Sequence, residues 1–204
     1  TRRTTNRRSI RKSRIKNTPK FYMITYEGNM PFAKQTKETL HKEYKIPKKN
    51  IIIVKGYAID KQTYTHTNVI YHGIRDKLLP KMIQGNEDAY YIEDDIRFTE
   101  NPFDIPKKDI VWSVYRNGSL ESKKRVITGS QAIFFSKKAQ KLLKKHMDES
   151  RPIQIDGYFS KFSRQMKDNK KLTFHQMKPK IGYEEDHQSL ISKDKDWKRY
   201  KKPN

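Results

Sequence analysis

Hydrophobic and polar positions alternate along this chain in two different periods, and the switches between them outline an α/β protein. Phe21-Tyr22-Met23-Ile24-Thr25 is a near-continuous apolar run of strand length, and the stretch from Phe32 to Tyr44 then takes on helical periodicity, with a turn at Gly28 between them and Pro47 as its stop. Ile51-Ile52-Ile53-Val54, bounded by Asn50 and Gly56, reads as a strand buried on both faces, so the opening is β-α-β. From Thr67 to Gln84 apolar residues recur at helical spacing (Val69, Ile70, Ile74, Leu78, Leu79), with Pro80 expected to kink or split the helix. Ala89 to Ile92 is the next strand.

Asp109 to Tyr115 is strand-like, Asn117-Gly118 marks a turn, and Arg125 to Phe135 is extended with a break at Gly129. Lys137 to Met147 is the clearest helix: Ala139, Leu142, Leu143 and Met147 share one face and lysines fill the other. Strands alternating with helices predict an α/β domain, and the closer spacing of the later strands predicts a mixed sheet flanked by helices.

Composition adds a strong charge bias. With 46 Lys and Arg against 23 Asp and Glu in 204 residues, the net charge is +23, so attraction to a polyanion is expected. The ends hold a large share of it. Residues 1–20 have nine basic residues and no acid, residues 193–204 have six basic and two acidic, and residues 21–192 keep +10. The expected organisation is a basic N-terminal arm (1–20), one domain (21–192) and a basic tail (193–204). The arms are expected either to engage a polyanion such as nucleic acid or to act as solvated tails.

Cysteine is absent, which excludes disulfides, thiolate metal sites and Cys catalysis. No segment has the length of a membrane span or a signal-peptide core, and the opening Thr fits a cytosolic-type N-terminus, so the expected location is the cytoplasm. No phosphate loop, dinucleotide fingerprint or H-E-x-x-H pair occurs.

The candidate chemistry centres on Glu93-Asp94-Asp95, where the strand Ala89 to Ile92 ends in three consecutive acids. Clustered carboxylates repel one another unless a hard cation or hydrogen-bond donors occupy them. A solvated turn is the plain alternative. Asp156 follows an apolar stretch and precedes Gly157-Tyr158-Phe159, which suits either a general base or a helix N-cap. Gly129 and Ser130 would let backbone come close to a ligand, or mark a β-bulge. Tyr90 and Tyr91 read as core, and His41, His72 and His175 as structural.

Taken in order, these segments resemble glycosyltransferase family 25, the lipooligosaccharide and collagen galactosyltransferase group. The resemblance rests on Thr65-His66 before a helix, Tyr91-Ile92-Glu93-Asp94-Asp95-Ile96, Gly129-Ser130-Gln131-Ala132-Ile133-Phe134-Phe135 leading into a lysine-rich helix, Pro152-Ile153-Gln154-Ile155-Asp156, and Gln188-Ser189-Leu190-Ile191. It departs where Thr25-Tyr26-Glu27 replaces the Asn-Leu and Arg of the family after the first strand. The resemblance implies a glycosyltransferase-A fold and transfer of a hexose from a UDP-sugar, by inversion, to an unidentified acceptor, with Mn²⁺ or Mg²⁺. It implies Asp95 and the late His187 as metal ligands, Glu93 and Asp94 orienting metal or ribose, Gly129 and Ser130 near the sugars, and Asp156 as general base. The competing expectation is a non-catalytic basic scaffold of this fold that binds nucleic acid or packs in an assembly such as a virion, where a Lys- and Asn-rich composition is at home.

Overall fold

The computed structural model describes residues 18–26, 29–57, 66–119, 121, 127, 129–178 and 180–184. In chain order they form β1 (Lys20–Thr25), α1 (Met30–Tyr44), β2 (Ile51–Lys55), α2 (His66–Gly73), α3 (Leu79–Gln84), β3 (Ala89–Ile92), β4 (Ile96–Phe98), β5 (Ile110–Val114), β6 (Ala132–Phe135), α4 (Lys137–Asp148), α5 (Ile155–Asp168), β7 (Phe174–Gln176) and β8 (Gly182–Glu184). The basic segments at residues 1–17 and 185–204 lie outside the described residues, and with them the greater part of both arms.

Six strands form one mixed sheet in the order β2-β1-β3-β6-β5-β7. β1 runs parallel to both β2 and β3, β6 is antiparallel to β3 and β5, and β7 is parallel to β5. The α/β class with a mixed central sheet flanked by helices is therefore the observed one. β4 and β8 make a separate two-stranded antiparallel ribbon that the hydrophobic pattern did not announce. Three residues each are too few to show a period, and only Gly182 lets the ribbon close: a Cβ there would lie 2.4 Å from the Arg97 carbonyl oxygen.

Strand periodicity divides the core in two. Tyr22, Ile24, Tyr91, Trp112, Ile133 and Phe135 face the side covered by α2 to α5, whereas Phe21, Met23, Tyr90, Ile92, Val111 and Phe134 face α1 and the ribbon. Tyr90 and Tyr91 are thus core residues of opposite layers, both at most 2% exposed. Phe21 stacks on Tyr90 at 4.9 Å, which adds about 0.5–1.5 kcal/mol beyond burial alone.

The helix ends follow local chemistry. Pro31 occupies the first turn of α1, where its missing N–H costs nothing. Lys45, not Pro47, ends α1, adopting φ 57° with its N–H on the Leu40 carbonyl. Pro80 acts as expected on its helix. It cannot donate to the carbonyl four residues back, and the chain widens into a π turn over Ile74–Leu78, with the Leu79 N–H on the Ile74 carbonyl, before α3 resumes. Among the described residues no helix is long and apolar enough to cross a membrane.

Candidate active site at the carboxyl end of the sheet

Because β1 and β3 are parallel neighbours, their carboxyl ends emerge side by side, and the acids that leave β3 meet the residues that leave β1. Thr25, fully buried as the last residue of β1, donates its hydroxyl to Asp94 Oδ2 at 2.9 Å. Thr36 of α1 donates to the Asp94 carbonyl at 2.6 Å, and Arg97 donates to the Thr36 hydroxyl at 2.6 Å and to the Ile96 carbonyl at 2.8 Å. The turn is pinned from β1, from α1 and from its own downstream strand. Of the three consecutive carboxylates, the middle one is held by the Thr25 hydroxyl, a bond that favours its charged form beside its neighbours.

On the other flank the Glu93 N–H reaches the Gln131 carbonyl at 2.9 Å, carrying the β3–β6 pairing one step beyond the strands. The preceding residue, Ser130, is fully buried and gives both its N–H (3.0 Å) and its hydroxyl (2.6 Å) to Asp156 Oδ1. Asp156 belongs to the first turn of α5, but Gln154 holds the N-cap position and makes no side-chain cap bond. The capping alternative is therefore corrected: the Asp156 carboxylate crosses to β6 instead of closing its own helix. Its negative charge still suits the positive end of the helix. Oδ2 accepts no hydrogen bond from a described residue, and a Cβ at neighbouring Gly157 would meet nothing within 4 Å. One oxygen of Asp156 is anchored, and the segment beside it borders open space.

Gly129 is required by conformation. Its φ is +73°, and a Cβ would sit 2.3 Å from the Gln131 side chain. The register irregularity of the β5–β6 ladder falls in β5, between Trp112 and Val114, so the bulge offered as an alternative is on the partner strand.

Two phenols sit behind the acids. Burial pushes the Tyr91 hydroxyl well above its ordinary range, with Glu93, Tyr26, Asp156 and Asp94 adding to the shift, so all three carboxylates lie within electrostatic reach of one buried ring. Tyr26, 6% exposed, is pushed up by burial and then by Asp94 and Glu93. Its ring occupies a notch left by two glycines: a Cβ at Gly56 would stand 2.4 Å from Tyr26 Cε1, and one at Gly73 3.1 Å from Oη. Tyr26 Oη is buried and has no hydrogen-bond partner among the described residues, a condition that costs about 1–3 kcal/mol. Sequence reasoning passed over Thr25 and Tyr26. The available signal was an apolar parallel strand that ends in two hydroxyl-bearing residues.

The structure thus gathers Glu93, Asp94, Gly129, Ser130 and Asp156 at one end of the sheet. Asp95 is half-buried in the same turn. His187 lies outside the described residues, as do Thr65 and the segment Gln188 to Ile191. Among the described residues no three of His, Cys, Asp and Glu come together as a metal-holding group. The donors present are hard oxygens, the type that Mn²⁺ and Mg²⁺ take, and such ions are commonly held by one or two carboxylates with the substrate's phosphates completing the shell. Of the other histidines, His41 bonds through Nδ1 to the Ile46 carbonyl at 2.8 Å, His72 lies 3.7 Å from Asp76, and His175 is exposed on β7.

No protein-family model matches this chain, and no curated protein matches it. Among solved structures it is similar to one described as a glucose-1-phosphate thymidylyltransferase from Bacillus anthracis in complex with sucrose, at 12% identity and a TM-score of 0.42, covering 78% of this chain and 87% of that one. A likeness that loose carries no argument about the site.

Proposed function

We propose that the chain is a glycosyltransferase of the nucleotide-diphospho-sugar type, moving a hexose from a UDP-sugar to an acceptor hydroxyl. One observation carries the reading: Asp156 is tied through Ser130 and Gln131 to the strand end that presents Glu93, Asp94 and Asp95. A base and a donor-side acidic cluster thereby share one end of the sheet. The ordered motifs that resemble glycosyltransferase family 25 supply the substrate class.

In this reading Asp156 takes the proton from the acceptor hydroxyl through Oδ2, while Ser130 fixes Oδ1 and with it the direction of the second oxygen. The acceptor oxygen bonds to the anomeric carbon as the bond from that carbon to the diphosphate oxygen breaks. The electron pair leaves with UDP, and the product is inverted. Asp94, held by Thr25, is positioned to orient the donor's ribose. A bound Mn²⁺ or Mg²⁺, held by Asp95 with His187, would neutralise charge developing on the leaving diphosphate.

The test is UDP release from a panel of UDP-hexoses with Mn²⁺ and with chelator, in wild type and Asp156→Asn. Metal-dependent release by wild type, lost in the variant while UDP still binds, is the expected result. A wild-type protein that neither binds nor hydrolyses any member of the panel overturns the reading.

A further inference from the structure

The end of the sheet opposite the acids carries a different chemistry. Lys138 at the start of α4 donates to the Lys171 carbonyl beyond the end of α5 at 2.7 Å, joining the two helix ends into one surface. Lys141 stands one turn further along the same face of α4. Lys167 lies over the Phe174 ring at 4.7 Å, and Phe174 pairs with Ile110, two residues after Lys108. Lys170 follows in the turn after α5.

Within the described residues, none of Lys108, Lys138, Lys141, Lys167, Lys170 and Lys171 makes an ion pair with a carboxylate, whereas Lys20, Lys48, Lys144, Lys145 and Lys178 all do. The acids nearby do not balance them. Asp88, Asp109 and Asp168 bring three negative charges against these six lysines, Asp88 on the Lys137 N–H at 2.9 Å and Asp109, bonded to Ser136 and Thr173, within reach of Lys138. The field reaches His175, whose imidazole is held below its ordinary value by burial and then by Lys108. α4 also begins with two lysines and no acid in its first turn, against the preference set by its dipole. The Asp88 carboxylate, on the Lys137 N–H at 2.9 Å, answers that end of the helix from outside it.

We propose that this lysine surface holds the phosphodiester backbone of a nucleic acid, by charge and without reading sequence. It is independent of the transferase reading. Along α5, Asp156 at one end and Lys167 at the other are about 16 Å apart, so both ends can be occupied together. A lipid surface fits less well, because interfacial binding needs apolar side chains to insert. Ile153, the exposed large hydrophobic side chain among the described residues, sits before α5 at the other end.

The experiment measures binding of the full chain to a short RNA and a short DNA as salt is raised. The triple variant Lys108→Gln, Lys141→Gln, Lys171→Gln is compared with Lys34→Gln, Lys37→Gln, Lys42→Gln on α1, which lowers the net charge equally on the opposite layer. The patch triple is expected to lose about ten-fold or more in affinity and to flatten the logarithmic salt slope by about 2, while the α1 triple changes little. The single substitutions, measured alongside, should divide the effect without moving the melting temperature, since all three side chains are exposed. Equal losses in the two triples would reduce the patch to bulk charge. No loss in the patch triple would assign binding to residues 1–20 and 193–204, and no nucleic-acid binding beside tight binding to phosphatidylserine vesicles would replace the partner by a membrane. Each of these outcomes overturns the proposal.

Discussion

Asp109 and Asp156 stand at opposite ends of the sheet, each drawn across a gap between elements by a serine, and their surroundings diverge from there. Asp109 receives the Ser136 hydroxyl on Oδ1 at 2.8 Å, and both the N–H and the hydroxyl of Thr173 on Oδ2 at 2.8 Å. Its backbone joins in, with the carbonyl accepting from the Ser136 N–H at 2.7 Å. Asp156 receives two bonds from Ser130, both on Oδ1. A carboxylate with both oxygens occupied stitches α4, β5 and β7 together. One with a single oxygen anchored leaves the other without a bond from the described residues. The same pairing of residue types serves structure at one end, and at the other it leaves the oxygen that the proposed transfer would use.

The sharpest way to break this contrast is to remove charge from each aspartate in turn and watch different readouts. Asp156→Asn keeps the shape and can still accept from Ser130, so the fold and UDP binding should survive. Transfer should fall by about 10²–10⁴, the usual cost of losing a general base. Wild-type turnover in the variant, measured as UDP released in the presence of acceptor, would assign Asp156 to the structural class of Asp109.

Asp109→Ala should behave in the opposite manner, losing about 1–2 kcal/mol in urea unfolding because Ser136 and Thr173 lose their acceptor, with transfer unchanged in the folded fraction. Its pH dependence has a definite sign. Burial works against the Asp109 charge, but the Thr173 N–H, the Ser136 and Thr173 hydroxyls and Lys138 outweigh it and hold the carboxyl below its ordinary value of 3.8. A group depressed on folding contributes stability above its unfolded value and loses it as pH falls through the folded one. The acid limb of the stability curve below about pH 4 should therefore flatten in Asp109→Asn relative to wild type.

The contrast also shows what the chain disclosed before folding. β1, β3 and α4 were legible because each is a run whose period and burial agree, as in the Ala139, Leu143 and Met147 face; β2 was legible as a strand, but it lies at the edge of the sheet with Ile52 and Ile53 half-buried, not buried on both faces. The acids at the end of β3 were visible because charge interrupts apolar sequence there. The β4–β8 ribbon was not, because its pairing depends on Gly182 meeting Arg97, 85 residues apart, with no local period. Asp156 was found as a residue but left between cap and base, since only the tertiary approach of Ser130, 26 residues earlier, decides where its carboxylate turns. Tyr26 was easily passed over, because an aromatic beside a strand end looks like core, and what sets it apart is the hydroxyl left without a partner among the described residues.

That hydroxyl sharpens the comparison at the smallest scale. The Ser136 and Thr173 donors around Asp109 have their acceptor, whereas behind Asp94 and Glu93 a phenol is 6% exposed, seated against Gly56 and Gly73, with no partner among the described residues. Tyr26→Phe keeps the ring that fills the glycine notch and deletes only the unsatisfied oxygen. Most deletions of a buried hydroxyl destabilise; this one should raise the stability of the unliganded protein by about 1 kcal/mol, or about 2–4 °C in Tm for a domain of this size. Scanning calorimetry of the two proteins side by side decides it. A lower Tm in the variant would mean that the Tyr26 hydroxyl is bonded in solution, and the contrast with Asp109 would then rest on Asp156 alone.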